Sequence, residues 1–151
     1  MNFIGNGGHA SVLLEFAIPQ NAWIIAVGDN RTRKLMAETK DQEWGVMIHP
    51  SAVVSPSAKI GVGTVIMAGA VVQANARIGR HCIINSCASV DHDAVVSDYA
   101  HIAPGAHLCG HVEVGEGALV GAGVCVAPMG KIPAWTLVKA RKLEMEPLYA
   151  V

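Results

Sequence analysis

One aliphatic residue recurs at every sixth position from Ile48 to Val138, and all sixteen positions of this series hold Ile, Val or Leu. Four residues after each of them the side chain is usually small, as at Ala52, Ala70 and Ala88. A period of six matches neither a helix, which repeats every 3.6 residues, nor an alternating strand. It is typical of a parallel β-helix, in which three six-residue units form one triangular coil. The pattern therefore predicts a mainly β fold of about five coils over residues 48–143, stacked about 4.8 Å apart.

The first 47 residues break this period. They predict strands over 2–4 and 23–27, a glycine-rich turn over 5–9, and helices over 10–17 and from 30 to about 40. A strand, a glycine turn and a helix make half of a nucleotide-binding unit, because glycines let backbone N–H groups at the helix start approach a phosphate. A turn of the same kind without a ligand is the alternative.

Two strands and two helices are too few to fold alone. We therefore expect residues 1–47 to form a small, truncated α/β subdomain of the Rossmann type that docks onto the first coils of the β-helix. Residues 144–151 remain as a carboxy-terminal tail that caps the final coil.

The composition excludes two classes of protein. Lys and Arg number 11 against 12 Asp and Glu, and no basic cluster is present for nucleic-acid binding. The longest apolar runs fall far short of the roughly 20 residues that cross a bilayer. Met1 runs into Asn2 without a basic segment or a long apolar stretch, and the four cysteines form no C-x-x-C pair. We therefore expect a cytoplasmic protein with reduced thiols.

The residue before each aliphatic position points outward, and the eighteen-residue coil sorts these outward residues by side. One side holds Val65, Ile83, His101, Leu119 and Leu137, and another holds Lys59, Arg77, Val95, Glu113 and Lys131. A stack of exposed aliphatic side chains is a liability for a monomer, whereas the mixed-charge side suits solvent. We expect the apolar side to pack against another copy of the chain, with His101 in that interface.

The units IGVGTV (60–65), IGRHCI (78–83) and VGEGAL (114–119) resemble those of the hexapeptide-repeat acyltransferase family. Together with GNGGHA (5–10), IAVGDN (25–30) and IHPSA (48–52), the chain resembles the sialic acid O-acetyltransferase and UDP-amino-sugar N-acetyltransferase group. That resemblance implies a left-handed β-helix, a homotrimer, acetyl-CoA as co-substrate without a metal, and a sugar or nucleotide-sugar acceptor. Members of the group carry a further strand with an acidic pair that holds the base, where this chain has only the short link 19–22.

Acyl transfer needs a base for the acceptor's proton, a donor for the developing oxyanion and a groove for the pantetheine arm. His92 lies between Asp91 and Asp93, at a predicted turn of the coil. Its neighbour one coil later is Gly110, which leaves an open slot beside the imidazole and a backbone N–H near a reacting carbonyl. Either aspartate is able to accept from one ring nitrogen and fix the tautomer. The alternative is an ordinary surface turn.

The resemblance assigns roles to particular residues. It implies that His92 is the base, that Asp93 orients it, and that Asn85, which opens the same motif, and His101 complete the catalytic set. It also implies that the Gly110 amide faces the acetyl group. The implied cofactor contacts are Gly110, Gly121, Ala122, Gly123, Lys131 and Lys139, with Arg141 and Lys142 near the phosphates. The implied acceptor contacts are Gly5, Gly7, Gly8, His9, Asp29 and Asn30. The other histidines (His49, His81, His107 and His111) are expected to be structural or solvated, and solvated end charges are the alternative for the lysines.

Two other functions stay open. A zinc hydratase of the γ-carbonic anhydrase type shares this β-helix and binds metal through three histidines from two subunits. Against it, His101 and His107 fall on different predicted sides of the coil, and no acid-rich ligand shell is evident. The second is a non-catalytic relative in which the shortened subdomain serves only as a cap. The sequence leaves open the acceptor, the acyl chain and the choice between oxygen and nitrogen.

Overall fold

The computed structural model describes residues 2–5 and 22–139. Strands β1 (Asn2–Ile4) and β2 (Trp23–Ile25) form a parallel two-stranded sheet, and helix α1 (Asn30–Thr39) follows them. The predicted second strand ends at Ile25, two residues early. The helix expected over 10–17 and the tail 144–151 lie outside the described residues. No helix in the described part of the chain is long and apolar enough to cross a bilayer.

Sixteen two-residue strands follow, each ending on one of the aliphatic positions of the six-residue series. They are β3 (Met47–Ile48), β4 (Val53–Val54), β5 (Lys59–Ile60), β6 (Val65–Ile66), β7 (Val71–Val72), β8 (Arg77–Ile78), β9 (Ile83–Ile84), β10 (Ser89–Val90), β11 (Val95–Val96), β12 (His101–Ile102), β13 (His107–Leu108), β14 (Glu113–Val114), β15 (Leu119–Val120), β16 (Cys125–Val126), β17 (Lys131–Ile132) and β18 (Leu137–Val138). The period of six is therefore confirmed as the spacing of the strands.

These strands form the three sides of a left-handed β-helix of about five coils. The first side stacks β3, β6, β9, β12, β15 and β18, the second stacks β4, β7, β10, β13 and β16, and the third stacks β5, β8, β11, β14 and β17. Every pairing is parallel and joins residues eighteen apart, as in Val65 with Ile83 and His101 with Leu119. The predicted fold class and the eighteen-residue coil are confirmed.

The core of the β-helix consists of the aliphatic series and the small residues between its members. In the middle coils Ile84, Val90, Ala94 and Ile102 are all fully buried. Small side chains at the corners and branched ones on the sides fill a narrow triangular interior without large voids. At the first coil this packing is incomplete, and Ile48 is 40% exposed.

From Gly63 onward, each corner of the coil contains one residue in the left-handed region of φ, again at every sixth position. Glycine takes five of these corner positions, and Asn75, His81, Cys87, Asp93, Tyr99, His111, Met129 and Trp135 take the others. Backbone N–H groups at these corners donate to the preceding coil, as Asp93 does to the Ala74 carbonyl at 3.0 Å and His111 to that of His92 at 3.1 Å. Corner side chains eighteen residues apart therefore lie in columns along the β-helix.

Helix α1 docks onto the corner between the third and first sides through a buried arginine. Arg33 is 1% exposed, and its guanidinium donates to the carbonyls of His81 and Tyr99, both at 2.7 Å, and to those of Val27 and Gly28. It also donates to Asn30 Oδ1 at 2.7 Å. Burial lowers the pKa of Arg33 to about 10, which leaves it charged at neutral pH. One side chain thus joins the amino-terminal subdomain to two successive coils.

We expect Arg33→Met to lower the free energy of unfolding by about 3 kcal/mol, because it leaves several buried carbonyls without a donor. Arg31→Met is the matched control, since Arg31 is exposed and stacks on the Trp135 ring at 4.9 Å. Chemical denaturation of both variants, with limited proteolysis of residues 1–47, measures the effect. Equal stability of the two variants would contradict this account of docking.

The expectation for the apolar first side is wrong in its early coils. Val65 and Ile83 are each 1% exposed, and Val65 packs with Ile24 and Ala26 of the amino-terminal subdomain. The chain itself therefore covers part of the surface that was assigned to a second copy. Further along the same side, Leu137 is 52% exposed. The third side is exposed at every outward position from Lys59 to Lys131, as expected.

Candidate active site

His92 lies at the corner between the second and third sides, in the turn that joins β10 to β11. Its backbone N–H donates to Asp91 Oδ1 at 2.8 Å, which closes the turn locally. Asp93 occupies the left-handed corner position with φ of 58°, a conformation that aspartate tolerates better than most residues. The imidazole is 53% exposed and open to a ligand.

His92 and Asp93 form the central polar contact of this corner. The Nδ1 atom of His92 lies 2.9 Å from Asp93 Oδ2. Because an ionised carboxylate only accepts, Nδ1 carries the proton and Nε2 is the basic nitrogen. The hydrogen bond to Asp93, reinforced by the charges of Asp91 and Asp93, raises the pKa of His92. The same bond, with one from Asn75, lowers the pKa of Asp93.

Gly110 stacks directly over the imidazole. A Cβ atom at this position would lie 2.7 Å from both Cε1 and Nε2 of His92, closer than real contacts allow. The basic edge of the ring therefore faces bare backbone, and only glycine leaves that space open. The structure thus brings together three of the predicted site residues: His92, Asp93 and Gly110.

Asn85 and His101 form a second polar pair. His101 lies on the first side of the β-helix, and Asn85 lies at the corner between the first and second sides. Asn85 Oδ1 accepts from the Ser86 N–H at 2.8 Å, so the amide NH2 faces His101 Nε2 at 3.0 Å. This donor makes Nε2 the acceptor nitrogen and assigns the ring proton of neutral His101 to Nδ1. Since His92 lies on a different corner, one chain holds the predicted catalytic set as two separate pairs.

The predicted cofactor residues also divide between locations. Residues 121–123 form the turn after β15, on the same corner as Asn85, and Lys139 follows β18 on the first side. Lys131 lies instead on the third side, where it pairs with Glu113 at 3.0 Å. Arg141 and Lys142 lie outside the described residues.

Among the predicted acceptor contacts, Gly7, Gly8 and His9 lie outside the described residues. Gly5 has φ of 124° and fits tightly against the Ala26 carbonyl, which a Cβ would approach to 2.7 Å. Asp29 caps helix α1 by accepting from the Thr32 N–H at 2.8 Å. Asn30 is buried and donates to the Gly117 carbonyl at 3.1 Å, so its amide holds the helix on the coil. In the described part of the chain, these three residues have structural contacts that the sequence interpretation did not foresee.

Two further residues, which the sequence interpretation did not include in the site, contact the His92 corner. Asn75 Nδ2 donates to Asp93 Oδ1 at 3.2 Å, and His111 Nε2 lies 3.9 Å from Asp93 Oδ2. The His111 ring also stands edge-on to that of His92, with centroids 5.3 Å apart. Both residues lie eighteen positions from Asp93, so the stacking rule that relates His92 to Gly110 would have found them.

His92, Asp93 and His111 also have the donor types that hold transition metals. Their ligand atoms lie within 4.8 Å of one another, and all three side chains are open to solvent. A metal on His92 Nδ1 would displace the proton that Asp93 binds. His101 and His107 lie on the first and second sides, as expected, and His107 Nδ1 is 2.8 Å from Ser89 Oγ.

Comparison with known proteins places this geometry among transferases. The family model described as bacterial transferase hexapeptide (six repeats) matches residues 93–128. The acetyltransferase domain of PglB from Neisseria gonorrhoeae FA1090 is 32% identical over 92% of this chain and 87% of its own, with a TM-score of 0.86. The same domain in complex with acetyl coenzyme A is 30% identical over 92% of this chain and 95% of its own, with a TM-score of 0.84.

A second relative has a named acceptor. A mutant of perosamine N-acetyltransferase from Caulobacter crescentus, in complex with CoA and GDP-perosamine, is 34% identical to this chain. The match covers 91% of this chain and 84% of that one, with a TM-score of 0.83. Both matches cover more than nine tenths of this chain.

Proposed function

The chain belongs to the hexapeptide-repeat acyltransferases, and on that premise we propose that it transfers the acetyl group of acetyl-CoA to the amino group of a nucleotide-linked sugar. The observation that carries the proposal is the His92–Asp93 pair, whose basic nitrogen faces the bare backbone of Gly110. The amine is favoured over a hydroxyl because the relative with a named acceptor is an N-acetyltransferase that holds GDP-perosamine.

In the proposed reaction, the sugar amine attacks the thioester carbonyl carbon while His92 Nε2 accepts one of its protons. Asp93 holds the proton on Nδ1 and stabilises the imidazolium that results. The N–H of Gly110 is assigned to the oxyanion, since it belongs to the backbone that faces Nε2. Collapse of the tetrahedral intermediate breaks the C–S bond, and the CoA thiolate leaves as the thiol with the proton from His92. The products are the N-acetylated sugar and free CoA.

We place the complete site between copies in a homotrimer. His92 and the Asn85–His101 pair lie on different parts of one chain, so a neighbouring copy has to bring the second pair to the first. His101 of that copy is then assigned to the acetyl group or the acceptor. The turn 121–123 and Lys139 lie near the Asn85 corner and are assigned to the pantetheine arm and the phosphates. Lys131 is the least supported contact, because it pairs with Glu113 on another side.

We expect Leu137→Asp to convert the trimer into inactive monomers, because it puts a charge on the exposed part of the apolar first side. Leu119 is less suitable, since it lines a small cavity with Asn30 and Trp135 and a charge there would also disturb helix docking. Leu35→Asp, at a residue 62% exposed on α1, is the matched control and keeps the parent's mass. Light scattering after size exclusion measures the state, and turnover measures the site.

Mixing two inactive variants in one oligomer tests whether the active site is shared between copies or whether the copies only assemble. His92→Gln and His101→Gln variants are each expected to be inactive, and mixed oligomers of the two regain activity because some interfaces pair intact His92 with intact His101. An active monomeric variant, or mixed oligomers without recovered turnover, would contradict a site shared between copies.

The function itself is tested with acetyl-CoA and a panel of UDP-, GDP- and CMP-linked amino sugars, their hydroxyl analogues and free sugars. We expect acceptor-dependent release of the CoA thiol, and a product heavier by one acetyl group, for an amine of the panel only. Thiol release no faster than hydrolysis for the whole panel would favour a non-catalytic relative. Zinc bound in stoichiometric amount, with loss of activity on its removal, would favour the zinc hydratase.

We also propose that the protein is cytoplasmic. All four cysteines are free thiols, and Cys109 and Cys125 lie close enough to interact. Such thiols persist in a reducing compartment.

A further inference from the structure

Asp93 is the middle member of a column of three corner residues. Asn75 lies one coil before it and His111 one coil after it, and all three have left-handed φ angles of 58° or 59°. The column continues downward through Ser57, whose Oγ accepts from the Asn75 N–H at 3.0 Å. Because the coils are in register, the side chains of Asn75 and His111 approach the Asp93 carboxylate from opposite sides.

The contacts occupy both oxygens of this carboxylate. Oδ1 accepts from Asn75 Nδ2 at 3.2 Å, while Oδ2 binds His92 Nδ1 at 2.9 Å and faces His111 Nε2 at 3.9 Å. Asp93 is part of an exposed turn, where its backbone N–H donates to the Ala74 carbonyl. The amide of Asn75 therefore limits rotation of the carboxylate about its χ angles, which sets the direction of the bond to His92.

We propose that Asn75 and His111 are positioning residues, which act on the base through Asp93 and thereby set the tautomer and basicity of His92. The kinetic part of this proposal rests on the proposed acetyl transfer, and the structural part does not. A carboxylate that is held at both oxygens keeps the Nδ1–H bond of His92 in place, so that in the neutral ring Nε2 is the unprotonated nitrogen and is directed at the Gly110 backbone. His111 adds a group whose charge, when protonated, favours the carboxylate form of Asp93.

Among the described residues, the charged and titratable groups beside this base come from its own turn and from the next coil. Asp91 precedes His92 in the turn, Asp93 follows it, and His111 stands over both from the next coil. From the preceding coil Asn75 brings a neutral amide. The amide is therefore a donor without charge at a position where a carboxylate would add negative charge beside Asp93. This difference gives the proposal a readout that a purely structural contact would not change.

The test compares Asn75→Gly, Asn75→Asp, His111→Asn and Ser57→Ala with the parent enzyme. Glycine and asparagine suit the left-handed backbone, so these replacements remove side-chain contacts without adding strain. Ser57→Ala is the matched control, because it removes a bond of the same column that does not reach Asp93. The readouts are the pH profile of kcat/KM, the titration of the His92 imidazole by 15N NMR, and the melting temperature.

We expect Asn75→Gly to lower kcat about fivefold with little change in KM for acetyl-CoA, the effect of losing one hydrogen bond to the orienting carboxylate. Asn75→Asp raises the pKa of His92, because a second negative charge stabilises the imidazolium, and the acid limb of the profile moves to higher pH by about half a unit or more. His111→Asn removes the ring that faces Oδ2 and lowers kcat in the same direction as Asn75→Gly. Ser57→Ala leaves both readouts at the parent values.

The NMR titration distinguishes the two proposals. If the parent transfers no acetyl group but the His92 titration shifts in Asn75→Asp, the proposed function fails and the positioning role stands. If the folded Asn75→Asp and Asn75→Gly variants keep the parent's His92 titration and profile, or change no more than Ser57→Ala, the positioning role is overturned. If Asn75→Asp does not fold, Asn75→Gly and His111→Asn decide the question.

Discussion

His92→Gln is expected to lower kcat/KM for acetyl transfer by about a thousandfold while the protein keeps its fold and its affinity for acetyl-CoA. Glutamine fills a similar volume but has no basic nitrogen, so the proton of the attacking amine has no acceptor. The exposed position of the imidazole means that little packing is lost. Stopped assays of thiol release, with calorimetric titration of acetyl-CoA, measure the two quantities separately.

The pH dependence gives the same prediction a second readout. The base works only when neutral, and Asp93 raises the pKa of His92 above its ordinary value of 6.5. Activity is therefore complete at high pH and is lost as the pH falls through this raised pKa, so the acid limb lies above 6.5. Asp93→Asn removes the charge and moves the limb to lower pH. His49→Gln, at a histidine bonded to Ser51, is the control and keeps the parent's profile. A His92→Gln enzyme with more than a tenth of the parent's rate would remove His92 from the mechanism.

Gly110→Ala is expected to lower kcat about a hundredfold without unfolding the protein. The new methyl group would lie 2.7 Å from Cε1 and Nε2 of His92, so the ring has to turn away from the backbone that is assigned to the oxyanion. Gly110 is absent from the left-handed corner residues, so alanine adds no backbone strain there. Turnover and thermal unfolding of the purified variant measure the two effects.

A double-mutant cycle shows whether this loss passes through the imidazole. In a His92→Gln background, Gly110→Ala should cost little further activity, because the group that it displaces is already gone. Full additivity of the two losses would mean that the methyl group acts elsewhere, for example by blocking the pantetheine arm. In that case the close contact between the two residues would not be part of catalysis.

Most of the fold and part of the site could be predicted from spacing alone. The aliphatic series placed all sixteen strands, since in a β-helix the inward position repeats with the coil. The same eighteen-residue step predicts Gly110 beside His92, and in the structure Gly110 stacks over the imidazole. It also relates Asn75 and His111 to Asp93, although the sequence interpretation had grouped His111 with the solvated histidines. The left-handed sense of the coil rested on family resemblance, because spacing carries no chirality.

Spacing along the chain therefore specifies the content of each coil: which residues point inward, which form corners, and which stand above one another. What covers the outward positions depends on how the rest of the chain folds over them. Val65 lies under Ile24 and Ala26, and Arg33 reaches carbonyls 48 and 66 residues away, through a segment that does not repeat. The physical reason is that a repeat fixes the direction of a side chain through covalent spacing and local hydrogen bonds. Which segment covers an outward side chain depends on long-range packing, and the six-residue period carries no information about that packing.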